Sequence, residues 1–143
     1  MSDFDELYQE IILEHNRRPR GAATLDEVPD SAILENPTCG DAIKVAVNLG
    51  PGGETVNVRF EAKGCAISVA SASLMTLAVD GRSPAEVREI AWGFIRALRG
   101  EEPIERLDAM GDLVAFCGVA KFPARVKCAT LAWHALLKSL PPS

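Results

Sequence analysis

Cys39, Asp41, Cys65 and Cys128 are the side chains of this sequence whose types suit metal–thiolate chemistry. The first two flank a glycine in the run Asn36-Pro37-Thr38-Cys39-Gly40-Asp41. This run lies just ahead of a strand pattern, so a tight, exposed loop is expected. Positions i and i+2 of a near-extended backbone point the same way, and Gly40 lets the loop bend so that both donors meet one ion. Cys65 follows Gly64, and Cys128 lies near the start of the last helical pattern. Three thiolates and a carboxylate make the four-ligand set of tetrahedral Zn2+. The intervals, 24 residues from Asp41 to Cys65 and 63 from there to Cys128, match no short zinc-finger pattern. Free cysteines are often small buried hydrophobes, so the metal reading depends on whether the fold brings these groups together.

The hydrophobic pattern supplies this for three of the four. Ile43, Val45, Val47 and Leu49 alternate with Ala42, Lys44, Ala46 and Asn48, the mark of a strand with one buried face. After the turn Gly50-Pro51-Gly52-Gly53, Val56, Val58, Phe60 and Ala62 alternate with Asn57, Arg59, Glu61 and Lys63. Two such runs predict an antiparallel hairpin. Its open end, far from the turn, gathers Cys39, Asp41 and Cys65. Cys65 is predicted to open a helix over Ala66 to Val79, and Cys128 to lie in the first two turns of a helix beginning near Pro123. Both thiols are then near helix starts, where exposed N–H groups favour negative charge. Elsewhere, Phe4, Leu7, Tyr8, Ile11 and Ile12 have helical spacing up to about Asn16, and Ala32 to Glu35 reads as a short edge strand. Ser83-Pro84-Ala85-Glu86 is a capping box with proline at the first helical position, opening a helix that ends at Gly100. Glu101 to Asp112 reads as loop with a short helical turn, and Leu113 to Phe116 as helix. The expected fold is α+β, a small antiparallel β-sheet of about three strands covered by helices, in one domain over residues 1–143.

Composition narrows the function. A net charge of −5, with no basic stripe, gives no reason to expect nucleic-acid binding. The longest uncharged apolar stretch, Ala66 to Val79, has 14 residues, short of the roughly 20 that a membrane span requires. The start of the chain is acidic and amphipathic, unlike a secretory signal, so the cytoplasm is the expected compartment. There, four cysteines are expected as thiols or ligands rather than disulfides.

Other candidates divide between function and packing. Three thiolates and Asp41 around Zn2+ leave a charge that Arg125 and Lys127 could offset; the plain alternative is a solvated first helical turn, although cations there are locally unfavourable. Cys117, amid Phe116 and Val119, reads as core. The basic segment Arg17 to Arg20 is either a docking patch or a solvated helix end. His15 is expected at the exposed end of the first helix. Neither it nor His134 is taken as a ligand, and Trp92 and Trp133 read as core or interface aromatics.

Three motifs in order resemble the U-type proteins of iron–sulfur cluster assembly: Asn36-Pro37-Thr38-Cys39-Gly40-Asp41, Gly64-Cys65-Ala66-Ile67-Ser68 with Ala70-Ser71-Ala72-Ser73, and Phe122-Pro123-Ala124-Arg125-Val126-Lys127-Cys128-Ala129-Thr130-Leu131. Lys127, where IscU-like scaffolds carry His, and the longer interval around Trp92 to Asp112 resemble the SufU branch. The resemblance implies Zn2+ on Cys39, Asp41, Cys65 and Cys128. It implies a zinc-dependent sulfurtransferase in which Cys39 accepts persulfide sulfur from a SufS-type, pyridoxal-phosphate-dependent cysteine desulfurase. In that family scheme a His of the partner replaces Cys39 on the zinc, Arg125 lies near the site to steer or activate Cys39, and Suf scaffold proteins receive the sulfur downstream. Two alternatives stay open: an iron–sulfur scaffold holding a [2Fe–2S] cluster on the same ligands, and a purely structural zinc adaptor.

Overall fold

The computed structural model describes residues 3–25, 33–36 and 40–141. Cys39 lies outside them, as does Ala32 of the expected edge strand. Among the described residues the elements in chain order are α1 (Asp3–Arg17), β1 (Ile33–Asn36), β2 (Asp41–Leu49), a 3-10 turn (Pro51–Gly53), β3 (Val56–Lys63), α2 (Ala66–Val79), α3 (Pro84–Arg99), three 3-10 turns between residues 104 and 121, and α4 (Pro123–Ser139). The three strands form one antiparallel sheet in the order β1-β2-β3, the α+β architecture expected.

The predicted hairpin is present, with register running from Ala42↔Lys63 to Leu49↔Val56. Its alternation holds over most of its length: Ile43, Val45, Val56, Val58 and Phe60 are buried, and α2 and α4 pack against the sheet. It fades at the turn, where Leu49, expected on the buried face, is 44% exposed beyond the reach of the covering helices. On the opposite face Lys44 and Glu61, directly paired in the register, form an ion pair at 3.6 Å. The outer edge of β3 is covered: Val56 and Phe60 donate their N–H groups to the carbonyls of Arg82 and Gly21, and Val58 donates to Asp80 Oδ1 at 2.8 Å. Pairing these groups blunts an edge that could template aggregation.

The capping box at Ser83 is complete, with reciprocal hydrogen bonds to Glu86, and Pro84 opens α3. Trp133, fully buried on α4, stacks on Phe94 with centroids 4.7 Å apart and donates its indole N–H to Ser71 Oγ at 3.0 Å. The segment Leu113 to Phe116, expected as helix, belongs to a 3-10 turn, Gly111–Phe116. Short connectors between helices commonly take this tighter i→i+3 form.

His15 corrects a second expectation. It is buried rather than exposed, at 7%, because the chain after α1 folds back over α2. Its Nδ1 shares a 2.6 Å hydrogen bond with Ser73 Oγ, which also accepts from the Arg20 N–H at 2.7 Å. Burial, reinforced by the Arg20 charge and partly opposed by Asp112 and Glu14, holds its pKa below the ordinary 6.5. A lowered histidine pKa in the folded state means that the unfolded chain takes the proton first. The stability His15 contributes is therefore full above about pH 6.5 and is lost as pH falls below it. Urea titrations from pH 8 to 5 are expected to show stability falling in the acid range, and His15→Gln should flatten that slope, by at most about 1.4 kcal/mol per pH unit. An unchanged slope in the variant would remove His15 from the account.

Candidate metal centre

Asp41 is the first residue of β2. It shares the parity of Ile43 and Val45, so its carboxylate enters the face covered by α2 and α4. It is 1% exposed, not in the open loop that the sequence suggested. A buried carboxylate is tolerated only when hydrogen-bonded or paired. Oδ1 accepts the Cys65 N–H at 2.8 Å and Oδ2 accepts the Ser68 hydroxyl at 2.5 Å.

Cys65 is the N-cap of α2, as predicted, and its thiol is exposed. Its Sγ is 3.6 Å from Asp41 Oδ2. Cys128, buried on α4 one turn beyond Pro123, completes a group whose donor atoms lie within 4.8 Å of one another. Tetrahedral Zn2+ with sulfur at about 2.3 Å and oxygen at about 2.0–2.2 Å needs ligand atoms about 3.5–3.8 Å apart. Two soft thiols and a carboxylate at this spacing fit such an ion with little adjustment. Asp41, Cys65 and Cys128 are thus brought together from β2, α2 and α4.

The fourth expected donor, Cys39, is outside the described residues; Asn36 and Asp41, on either side of it in the sequence, are partners in the β1–β2 register. Arg125 is exposed, with its guanidinium 5.1 Å from the centre of the Phe122 ring. It lines a cavity of about 630 Å³ with Tyr8, Ile12, Leu13 and Phe122, and with Ala66 and Ile67, the two residues after Cys65. Cys117 is half-buried and packed against the core. Arg99 Nη2 lies 3.3 Å from His134 Nε2, and neither histidine belongs to the cluster.

Sequence reasoning missed Ser68. It is 3% exposed and contacts the Asp41 carboxylate, the Cys128 carbonyl at 3.2 Å and Cys65 Sγ at 3.8 Å. The signal was its interval from Cys65, since residues three apart on a helix share a face.

Residues 7–129 match the family described as NifU-like N terminal domain. The chain belongs to that family. It is 40% identical to the zinc-dependent sulfurtransferase SufU of Bacillus subtilis (strain 168), across 97% of this chain and 92% of that one. It is 38% identical to the iron-sulfur cluster assembly scaffold protein IscU of Streptococcus pyogenes serotype M1, across 100% of this chain and 88% of that one. The crystal structure of a hypothetical protein, 38% identical, superposes with a TM-score of 0.81 over 94% of this chain and 97% of its own. The resemblance to U-type assembly proteins read from three motifs thus extends over the whole family domain.

Proposed function

We propose that this family member is a zinc-dependent sulfurtransferase of iron–sulfur cluster biogenesis, in which Cys39 accepts sulfur from the persulfide of a SufS-type cysteine desulfurase. The observation that carries this reading is the convergence of Asp41, Cys65 and Cys128 within 4.8 Å at the end of the hairpin next to Cys39. Lys127 at the place of the scaffold histidine supports it, as does the longer interval around Trp92 to Asp112, which the end of α3 and the first 3-10 turns after it occupy. Cys39, Asp41, Cys65 and Cys128 would hold Zn2+, which keeps bound thiols in the thiolate form.

The chain's own residues have distinct parts. Cys65 and Cys128 are fixed to helices, whereas Cys39 is on the glycine-containing connection between β1 and β2, so Cys39 is the donor best able to leave the group. Its thiolate attacks the outer sulfur of the partner's persulfide. A new S–S bond forms on Cys39, the partner's S–S bond breaks, and the partner's cysteine departs as thiolate, with no external oxidant or reductant needed. Arg125, on the cavity wall that also carries Leu13 and Phe122 (39% and 51% exposed), would attract the anionic persulfide of a docked partner. Among the described residues no helix is long and apolar enough to cross a membrane. The proposed exchange is between two cytoplasmic proteins, with onward transfer to Suf scaffolds.

The test is mass spectrometry after incubation with a SufS-type desulfurase and cysteine. One added sulfur atom is expected on the peptide containing Cys39 and none in Cys39→Ser, with stimulation of the desulfurase also lost. Persulfide on another cysteine, or undiminished stimulation by the variant, would exclude the acceptor role. The 38% identity to an IscU scaffold favours a second reading, assembly of a [2Fe–2S] cluster on the same thiolates. A brown protein that passes on an intact cluster would support it; a colourless protein carrying zinc would count against it.

A further inference from the structure

We propose that Ser68 is a positioning residue for the metal centre, fixing the plane of the Asp41 carboxylate before an ion arrives. This deepens the metal reading and rests on it. Ser68 lies one turn into α2 from Cys65, buried, and its single hydroxyl touches all three members of the cluster. A serine has one proton to donate. The nearer and charged acceptor is Asp41 Oδ2 at 2.5 Å, against 3.2 Å to the Cys128 carbonyl, so the proton goes to the carboxylate, within the range of a strong charge-assisted bond. The other oxygen, Oδ1, is held by the Cys65 N–H at 2.8 Å. Gripped at both oxygens, the carboxylate loses the broad rotation that its terminal torsion otherwise has. A carboxylate offers roughly four lone-pair sites, so a grip at both oxygens is compatible with ligation.

Ser71 provides the internal comparison. One turn further along the same helix it is also fully buried, donates to the Ala129 carbonyl at 2.5 Å and accepts from Trp133. It therefore does packing work of the same kind without touching a donor of the cluster. Both serines are replaceable by alanine without loss of helix propensity.

The experiment is zinc affinity by chelator competition on the full chain, with circular dichroism and urea titration run in parallel. Ser68→Ala is expected to weaken zinc binding about 10–100-fold, the usual effect of removing a group that orients a ligand. Ser71→Ala should lower stability and leave affinity unchanged. In an Asp41→Ala background Ser68→Ala should have no further effect on affinity, because its action passes through that carboxylate. Equal affinities for wild type and Ser68→Ala, or an equal loss in Ser71→Ala, would overturn the proposal while leaving the metal reading intact. A wild-type chain that binds no zinc would remove both.

Discussion

Gly64→Ala is expected to abolish tight zinc binding and to destabilise the fold by several kcal/mol, a larger effect than any exposed side chain should have. Gly64 joins β3 to the cap of α2 with φ +154, a region occupied almost only by glycine, and holding another residue there costs about 1–3 kcal/mol. Space is the second obstacle. A Cβ on this residue would lie against Asp41, 2.6 Å from its Cγ and 3.0 Å from its Cβ. This neighbour is a buried carboxylate held at both oxygens and cannot swing aside as the end of a flexible side chain would. Either it leaves the Cys65 N–H and the Ser68 hydroxyl, forfeiting hydrogen bonds to a charged group worth about 1.5–3 kcal/mol each, or the backbone at Gly64 moves and carries Cys65 away. Both outcomes separate the donors. Gly81→Ala is the control: its φ is +83, but nothing lies within 4 Å of the added carbon. It should lose about 1–2 kcal/mol to backbone strain alone and keep its zinc affinity. Chelator competition and urea titration measure both quantities, and a Gly64→Ala chain with wild-type affinity would show that the donor set is less constrained than its geometry implies.

The same closeness explains what could be read from the sequence. Strand alternation and hairpin pairing are local rules, so β2, β3 and the meeting of Asp41 with Cys65 followed from residues 41–65 alone. The start of α2 at Cys65 and the capping box at Ser83 followed equally from local chemistry. Cys128 is different. Its residue type and place near a helix start made it a candidate, but its approach depends on how α4 crosses the sheet, a long-range packing outcome that only likeness to a family could supply. The burial of Asp41 was available in principle by extending the alternation Ile43, Val45 one step back, but a carboxylate beside glycine in a run with proline reads as loop. His15 was misplaced for a related reason. Helical spacing marks it as the end of α1, but nothing local shows that the chain then turns back over Ser73 and covers it. Polar residues buried by tertiary contact are the class that periodicity cannot find.

Removing zinc is expected to lower the melting temperature of the wild type by roughly 8–16 °C. The reasoning is mass action. An ion bound only by the folded chain and present at about 1,000 times its dissociation constant stabilises by about 4 kcal/mol, and a domain of this size shifts by roughly 2–4 °C per kcal/mol. The restriction to the folded chain is justified by the sequence positions of the donors: Asp41, Cys65 and Cys128 belong to three different elements, 24 and 63 residues apart. An unfolded chain would have to close both loops to offer the same site, so the binding energy becomes folding energy. Two consequences separate this from a non-specific effect of the chelator. The melting temperature should rise again with the logarithm of added zinc, and the Gly64→Ala chain, with its donors apart, should not respond. Calorimetry with zinc or chelator makes the comparison directly. Identical melting curves under both conditions would mean that the three groups converge without holding an ion, and the thiol chemistry proposed for Cys39 would then need a different means of staying ionised.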